Sequence, residues 1–172
     1  MRYESGLIIR ILLALFLVIL PIDLFYLLLL KPTLQASALF LGSYNPTIAN
    51  DGLIINNVML KFIPACIATL AYMLLALLIL LTKDLSMKKR IALFLTGSFF
   101  IFTANIIRID ALIYIYFEYG KDLFNKLHLF IWDILSSIFV AALWIVLTYT
   151  FKLKSIPAYD DIKTLYIKSK KS

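Results

Sequence analysis

Residues 62–82 form a run of twenty-one with no charged side chain, and this run limits the fold more than any other feature. A helix of about 20 mostly apolar residues, rising about 1.5 Å each, spans the hydrocarbon core of a bilayer. Three further windows have similar length: 7–30, interrupted by Arg10, Pro21 and Asp23; 91–109, with Arg108 near its end; and 128–151, with Asp133 inside it. The apolar residues come in long runs rather than in strand or heptad patterns. The chain has 172 residues, of which 63% are hydrophobic, well above the share usual in soluble domains. The expected fold is an all-α membrane protein, a bundle of about four transmembrane helices with both termini cytoplasmic. Residues 1–154 form a single transmembrane helical domain, and 155–172 a short basic cytoplasmic tail at the membrane surface.

The net charge of +7 is distributed as a membrane would require, and no nucleic-acid partner is expected. Arg2, Arg10, Lys83, Lys88, Lys89, Arg90 and six tail lysines (152, 154, 163, 168, 170 and 171) fall on one side of the expected spans. The opposite loops hold Lys31, Lys61, Lys121 and Lys126. This asymmetry places the 83–90 loop and the tail in the cytoplasm, and the loops 31–61 and 110–127 outside. Ala36-Ser37-Ala38 resembles a signal cleavage site, but the run before it is much longer than a signal h-region, so a retained span is expected. The 42–57 loop is rich in turn formers, among them Asn45-Pro46 and Asn50-Asp51-Gly52. Residues 53–60 mix apolar and polar side chains and are expected at the outer interface or as an extension of the second helix.

Polar groups within spans are costly, so each is a candidate for function: Asp23, Cys66, Asn105, Arg108, Asp110, His128 and Asp133. The second span runs inward from residue 62, which puts Cys66 about one turn below the outer surface. The third runs outward from residue 91, and Arg108 comes roughly 25 Å along it, near the outer face. The fourth runs inward from His128. Three chemically distinct side chains from separate segments therefore fall at one depth. A thiolate can attack an acyl carbon while an imidazole moves protons, and a fixed positive charge favours the thiolate or holds an oxyanion. Pro64 suits a first helical turn, where the helix dipole would also favour a thiolate at Cys66. Asn105 and Arg108, three apart, share a helix face, so Asn105 is placed to orient the guanidinium or to bind substrate.

Each residue also has an ordinary reading. A cysteine in an apolar helix is usually a small hydrophobe, an arginine near a span end snorkels to headgroups, and a histidine there sits at the interface. Asp110 reads as an outer-surface charge or as a partner of Arg108. Asp133 lies roughly 140° around the helix from His128 and is not expected to orient it. Tyr114, Tyr116, Phe117 and Tyr119 are expected to form an interfacial belt. With one cysteine and one histidine, the usual His/Cys metal sets are not available. No metal and no cofactor is expected.

The ordered set Pro64-Ala65-Cys66-Ile67-Ala68, Asn105-Ile106-Ile107-Arg108-Ile109 and Leu127-His128 resembles the exosortase/archaeosortase family of membrane transpeptidases, over roughly residues 60–135. In that family a cysteine begins one transmembrane helix, Asn-x-x-Arg ends the next, and a histidine or second arginine begins the one after. The resemblance implies Cys66 as nucleophile, Arg108 as electrostatic partner, His128 as acid/base and Asn105 as an orienting or substrate-binding residue. It further implies a cysteine transpeptidase or protease in the cell membrane, with its active site facing outside. Such an enzyme cleaves secreted or surface proteins bearing a C-terminal motif, a transmembrane segment and a basic cluster, and passes the new end to a membrane lipid or other anchor. Many exosortases have eight spans and a Cys-Ser-Gly start. This chain has Cys66-Ile67-Ala68 and about four spans, and so is similar to the short archaeal members. The alternative from another class is a non-enzymatic small membrane subunit of a transporter or other complex.

Overall fold

A computed structural model describes residues 2–19, 22–131 and 136–170. The protein is mostly helical. In chain order the helices are α1 (Arg2–Ile19), α2 (Ile22–Phe40), α3 (Thr69–Leu81), α4 (Met87–Tyr119), α5 (Lys121–Phe130), α6 (Ser136–Thr150) and α7 (Tyr159–Ser169), with strands β1 (Thr47–Ile48), β2 (Gly52–Ile55) and β3 (Val58–Lys61) between α2 and α3. Their contacts group into two compact units. One combines Met1–Leu20, Tyr72–Ser98 and Ala141–Ser172; the other combines Pro21–Ala71 and Phe99–Val140.

Helix α4 is long and apolar enough to cross a membrane by itself, and only 28% of its apolar window is buried inside the chain. Ser86 opens it: its hydroxyl accepts from the Lys89 N–H at 3.4 Å, as an N-cap does. It ends at Gly120, whose φ of +88° suits glycine. The sequence places a loop at 110–127, but the helix continues to Tyr119 because no proline or glycine falls between Gly97 and Gly120. The expected span 7–30 is divided between α1 and α2, and α2 runs on through Pro32 to Phe40, into the expected outer loop. The expected span 62–82 is helical only from Thr69, which leaves α3 with 13 residues; α6 has 15. Helix α3 is shorter than the about 20 residues of a regular span, and α6 directly follows residues 132–135, which lie outside the described residues.

The first unit is held at its polar ends by side chains on main-chain groups. The Arg90 guanidinium donates to the carbonyls of Ile79, Leu80 and Thr82, closing the C-terminal end of α3. Gly97 lets three helices meet: a Cβ there would lie 2.6 Å from a Leu75 methyl and 3.1 Å from one of Leu147. The segment expected as a plain tail contains α7, joined to α1 by the Arg10–Asp161 ion pair at 2.9 Å.

The second unit has a core made by α2, the sheet and α4. Leu30 and Leu34 of α2, with Leu41 directly after it, pack with Leu53, Ile55, Phe62, Ile67, Ile109 and Ile113. The strands are antiparallel in the order β1-β2-β3, with Ile48 opposite Leu53 and Ile55 opposite Val58. Asn56 and Asn57 form the β2–β3 turn, both with positive φ (50° and 64°), the conformation of a two-residue hairpin loop. A side chain at Gly52 would run into the Leu60 carbonyl. Residues 53–60 thus form a hairpin and do not extend a helix; alternation puts Leu53 and Ile55 inside and Ile54 outside.

Candidate functional site

Cys66 lies in a single 3-10 turn, Pro64–Ile67, ahead of α3. Ile63 is extended (φ −96°, ψ 166°), as the residue before a proline prefers. The Cys66 N–H bonds the Ile63 carbonyl at 2.8 Å. Ala68 then takes a left-handed conformation, φ 56°, which an L-residue with a Cβ rarely adopts. This breaks the helical path, so the sequence reading of Cys66 in the first turn of a continuous helix is corrected. The turn is tied on both sides: the Thr69 hydroxyl donates to the Pro64 carbonyl at 3.1 Å, and the Tyr26 hydroxyl of α2 donates to the Phe62 carbonyl at 2.8 Å. Cys66 is a free thiol of intermediate exposure at the edge of the core.

Helix α4 supplies two side chains to this turn. Asn105 Nδ2 donates to the Cys66 carbonyl at 3.0 Å. Arg108 Nη2 donates to the same carbonyl at 2.9 Å and lies 3.4 Å from that of Ala65. The i, i+3 spacing brings both to one helix face. Both grip the main chain of the cysteine; neither bonds its sulphur. Asn105 is buried, and Arg108 Nε is buried with no hydrogen-bond partner. A buried donor left unmade costs about 1–3 kcal/mol, so this N–H is available to a group that enters. The Cys66 thiol lies within electrostatic reach of the guanidinium.

His128 sits in the last turn of α5; the expected fourth span passes from there through residues 132–135, which lie outside the described residues. Its ring stacks on Phe124, one helical turn earlier, at 5.3 Å between centroids and 22° between planes. The imidazole also lies within electrostatic reach of Arg108. Arg108 thus bonds the cysteine turn directly, and its charge is felt at the histidine. The aromatic residues expected only as a belt form a connected row: Tyr44 stacks on Phe117 at 5.7 Å, Tyr116 meets Phe117 at 5.1 Å and Phe124 at 5.5 Å. The row ends on His128, and the Phe124/His128 spacing of four was its signal in the sequence. At its other end the Tyr44 hydroxyl donates to Glu118 at 2.9 Å. Partial burial, and then the Glu118 carboxylate, push the Tyr44 phenol above its ordinary pKa.

Asp110 turns away from Arg108 and toward α2, facing the fully buried Ser37. The two are close without completing a well-aligned hydrogen bond. Asp110 is two residues from Arg108, about 200° around the helix, which explains why the two do not pair. Asp23 is exposed in the first turn of α2, where a carboxylate suits the helix dipole. Asp133 lies outside the described residues.

Beside Asn105 and Arg108 is a half-open cavity of about 130 Å³. Ala68, Ala71, Ile101, Ala104, Ile131, Phe139 and Val140 make the rest of its wall, and Asn105 and Arg108 are its polar lining. The two side chains that grip the cysteine turn therefore also face an apolar space of side-chain size. Among the described residues no group of three or more His, Cys, Asp or Glu could hold a metal ion. No protein-family model, no curated protein and no solved structure matches the chain.

Proposed function

We propose that this chain is a membrane cysteine transpeptidase or protease. It cleaves C-terminal sorting signals of secreted proteins at the outer face of the membrane and passes the new C-terminus to a lipid or other anchor. The observation that carries the reading is the convergence of Asn105 and Arg108 on the turn that presents Cys66, with one buried Arg108 donor left over. In the proposed reaction the Cys66 thiolate attacks the scissile carbonyl carbon, forming a C–S bond, and Arg108 Nε–H donates to the developing oxyanion. The C–N bond breaks, and His128 protonates the departing amine. The thioester is then attacked by an acceptor hydroxyl, amine or water, which gives up its proton and restores the thiol.

Four crossings, with both ends cytoplasmic, are part of this proposal. Large apolar side chains on α1, α3 and α6 are exposed, among them Ile8, Leu12, Phe16, Leu70, Ile145 and Val146. A surface of that kind needs an apolar cover. The lysine and arginine asymmetry supports the orientation. A substrate anchored with its basic cluster inside would bring its recognition motif to the outer face.

A second reading has its own support. Asn105 and Arg108 bond the Cys66 carbonyl, which is how a purely structural clamp would act, as in a non-enzymatic subunit of a larger membrane complex. Labelling with a membrane-impermeant thiol reagent on intact cells separates the two. The enzyme reading predicts fast labelling of Cys66 from outside, slowed in Arg108→Gln. An unreactive thiol, indifferent to that substitution, would favour the subunit.

A further inference from the structure

We propose that the outward face of α7 binds the anionic headgroups of a membrane leaflet. The inference rests on the chain being inserted in a membrane and not on its catalytic chemistry. Helix α7 carries two acidic residues, and both are engaged. Asp160 Oδ2 accepts from the Ile156 N–H at 2.8 Å, at the helix start. Asp161 Oδ1 accepts from Arg10 Nη2 at 2.9 Å, with both side chains largely buried (14% and 8% exposed). Two further ties fix the same face of the helix in its unit: the Ala158 N–H bonds the Leu81 carbonyl at 3.0 Å, and Lys83 Nζ lies 2.9 Å from the Thr164 hydroxyl.

With Asp161 turned in to Arg10 and Asp160 capping the helix start, the opposite face combines positive charge with apolar and aromatic surface. Lys163 and Lys170 are exposed, and the Lys170 ammonium lies 4.9 Å from the centre of the Tyr166 ring. Tyr159, Ile162 and Tyr166 are 56%, 65% and 60% exposed. Residues 159, 163, 166 and 170 recur at helical spacing and share this face. Lysines beside tyrosines and an isoleucine suit the headgroup layer, where aromatic rings and apolar side chains enter and ammonium groups meet lipid phosphate. An acidic protein partner would satisfy the lysines and leave the isoleucine and the rings uncovered. A neutral bilayer would cover the rings and leave the lysines without counter-charge.

The test uses the full chain with Cys66→Ala and Ile162→Cys, labelled with an environment-sensitive fluorophore and reconstituted in nanodiscs. Discs of phosphatidylcholine are compared with discs containing phosphatidylglycerol, each with nitroxide-headgroup lipid as quencher. Strong quenching is expected in the anionic discs, and it should be lost at high salt and in the Lys163→Glu/Lys170→Glu chain. Each lysine neutralised is expected to weaken the association roughly fivefold. Equal quenching in both lipids, indifferent to salt and to the lysines, would overturn the proposal, as would no quenching in either. If the charge-reversed chain fails to fold, the comparison of lipids and of salt on the unreversed chain decides. A chain that does not enter discs at all would overturn the membrane reading and this proposal together; a chain that enters with its probe unquenched overturns this proposal alone.

Discussion

At the scale of single residues, the site depends on how one carbonyl is held. Asn105 and Arg108 both donate to the oxygen of Cys66, so removing either loosens the turn that carries the thiol. Arg108→Lys keeps the charge and loses the planar fork that lets one side chain hold the Cys66 carbonyl through Nη2 while Nε remains available. It is expected to lower processing at least about tenfold, the value of one charged hydrogen bond, while the protein still reaches the membrane. Wild-type turnover in that variant, measured on a processed substrate in isolated membranes, would remove the fork from the chemistry. The partnership of Asn105 and Arg108 was legible in the sequence because a spacing of three fixes a shared helix face. The atom they hold was not legible. It depends on Ala68 adopting a left-handed φ of 56°, and an alanine gives no signal of that. The place of Asp110 was also hidden, since its neighbour Ser37 lies more than seventy positions earlier and on another helix.

At the scale of elements, the long uncharged runs identified helices but not their limits. Hydropathy reports only that a segment is apolar, and the residues before Thr69 are as apolar as those after it. Pro64 and Ala68 set the boundary. The hairpin does carry a signal in the sequence: Leu53, Ile55, Asn56-Asn57 and Val58 show alternation around a turn pair. Replacing Asn57 by valine puts a β-branched residue at positive φ and is expected to cost on the order of 1–2 kcal/mol, while glycine there should be tolerated. Thermal unfolding of both variants in detergent would check this, and equal melting temperatures would contradict the turn assignment. Gly97 is a second element-scale test. Gly97→Leu must displace the Leu75 and Leu147 side chains and is expected to destabilise by about 1–3 kcal/mol, whereas the exposed Phe99→Leu should stay close to neutral. Denaturant titration of the two, side by side, would show whether close helix approach at Gly97 matters.

At the scale of the whole molecule, the apolar surface and the distribution of lysine and arginine agree with a chain in a bilayer, and among the described residues α4 is the helix long enough to cross one as a single regular helix. The sequence brought Cys66, Arg108 and His128 to one depth by counting residues along spans. In the fold, Arg108 bonds the cysteine turn and its charge is felt at His128, although α3 begins at a place the counting did not give. The resemblance to exosortases and archaeosortases then supplies the proposed reaction, and the central claim becomes that Cys66 forms a covalent bond to the substrate. Mass spectrometry of the peptide carrying Cys66, from membranes in which surface proteins are being processed, tests that claim most directly. The account predicts an acyl adduct on Cys66, present in the unaltered chain and much reduced in His128→Gln, with surface proteins keeping their C-terminal segments in Cys66→Ala. Normal processing by Cys66→Ala, with no adduct on the unaltered chain, would contradict it.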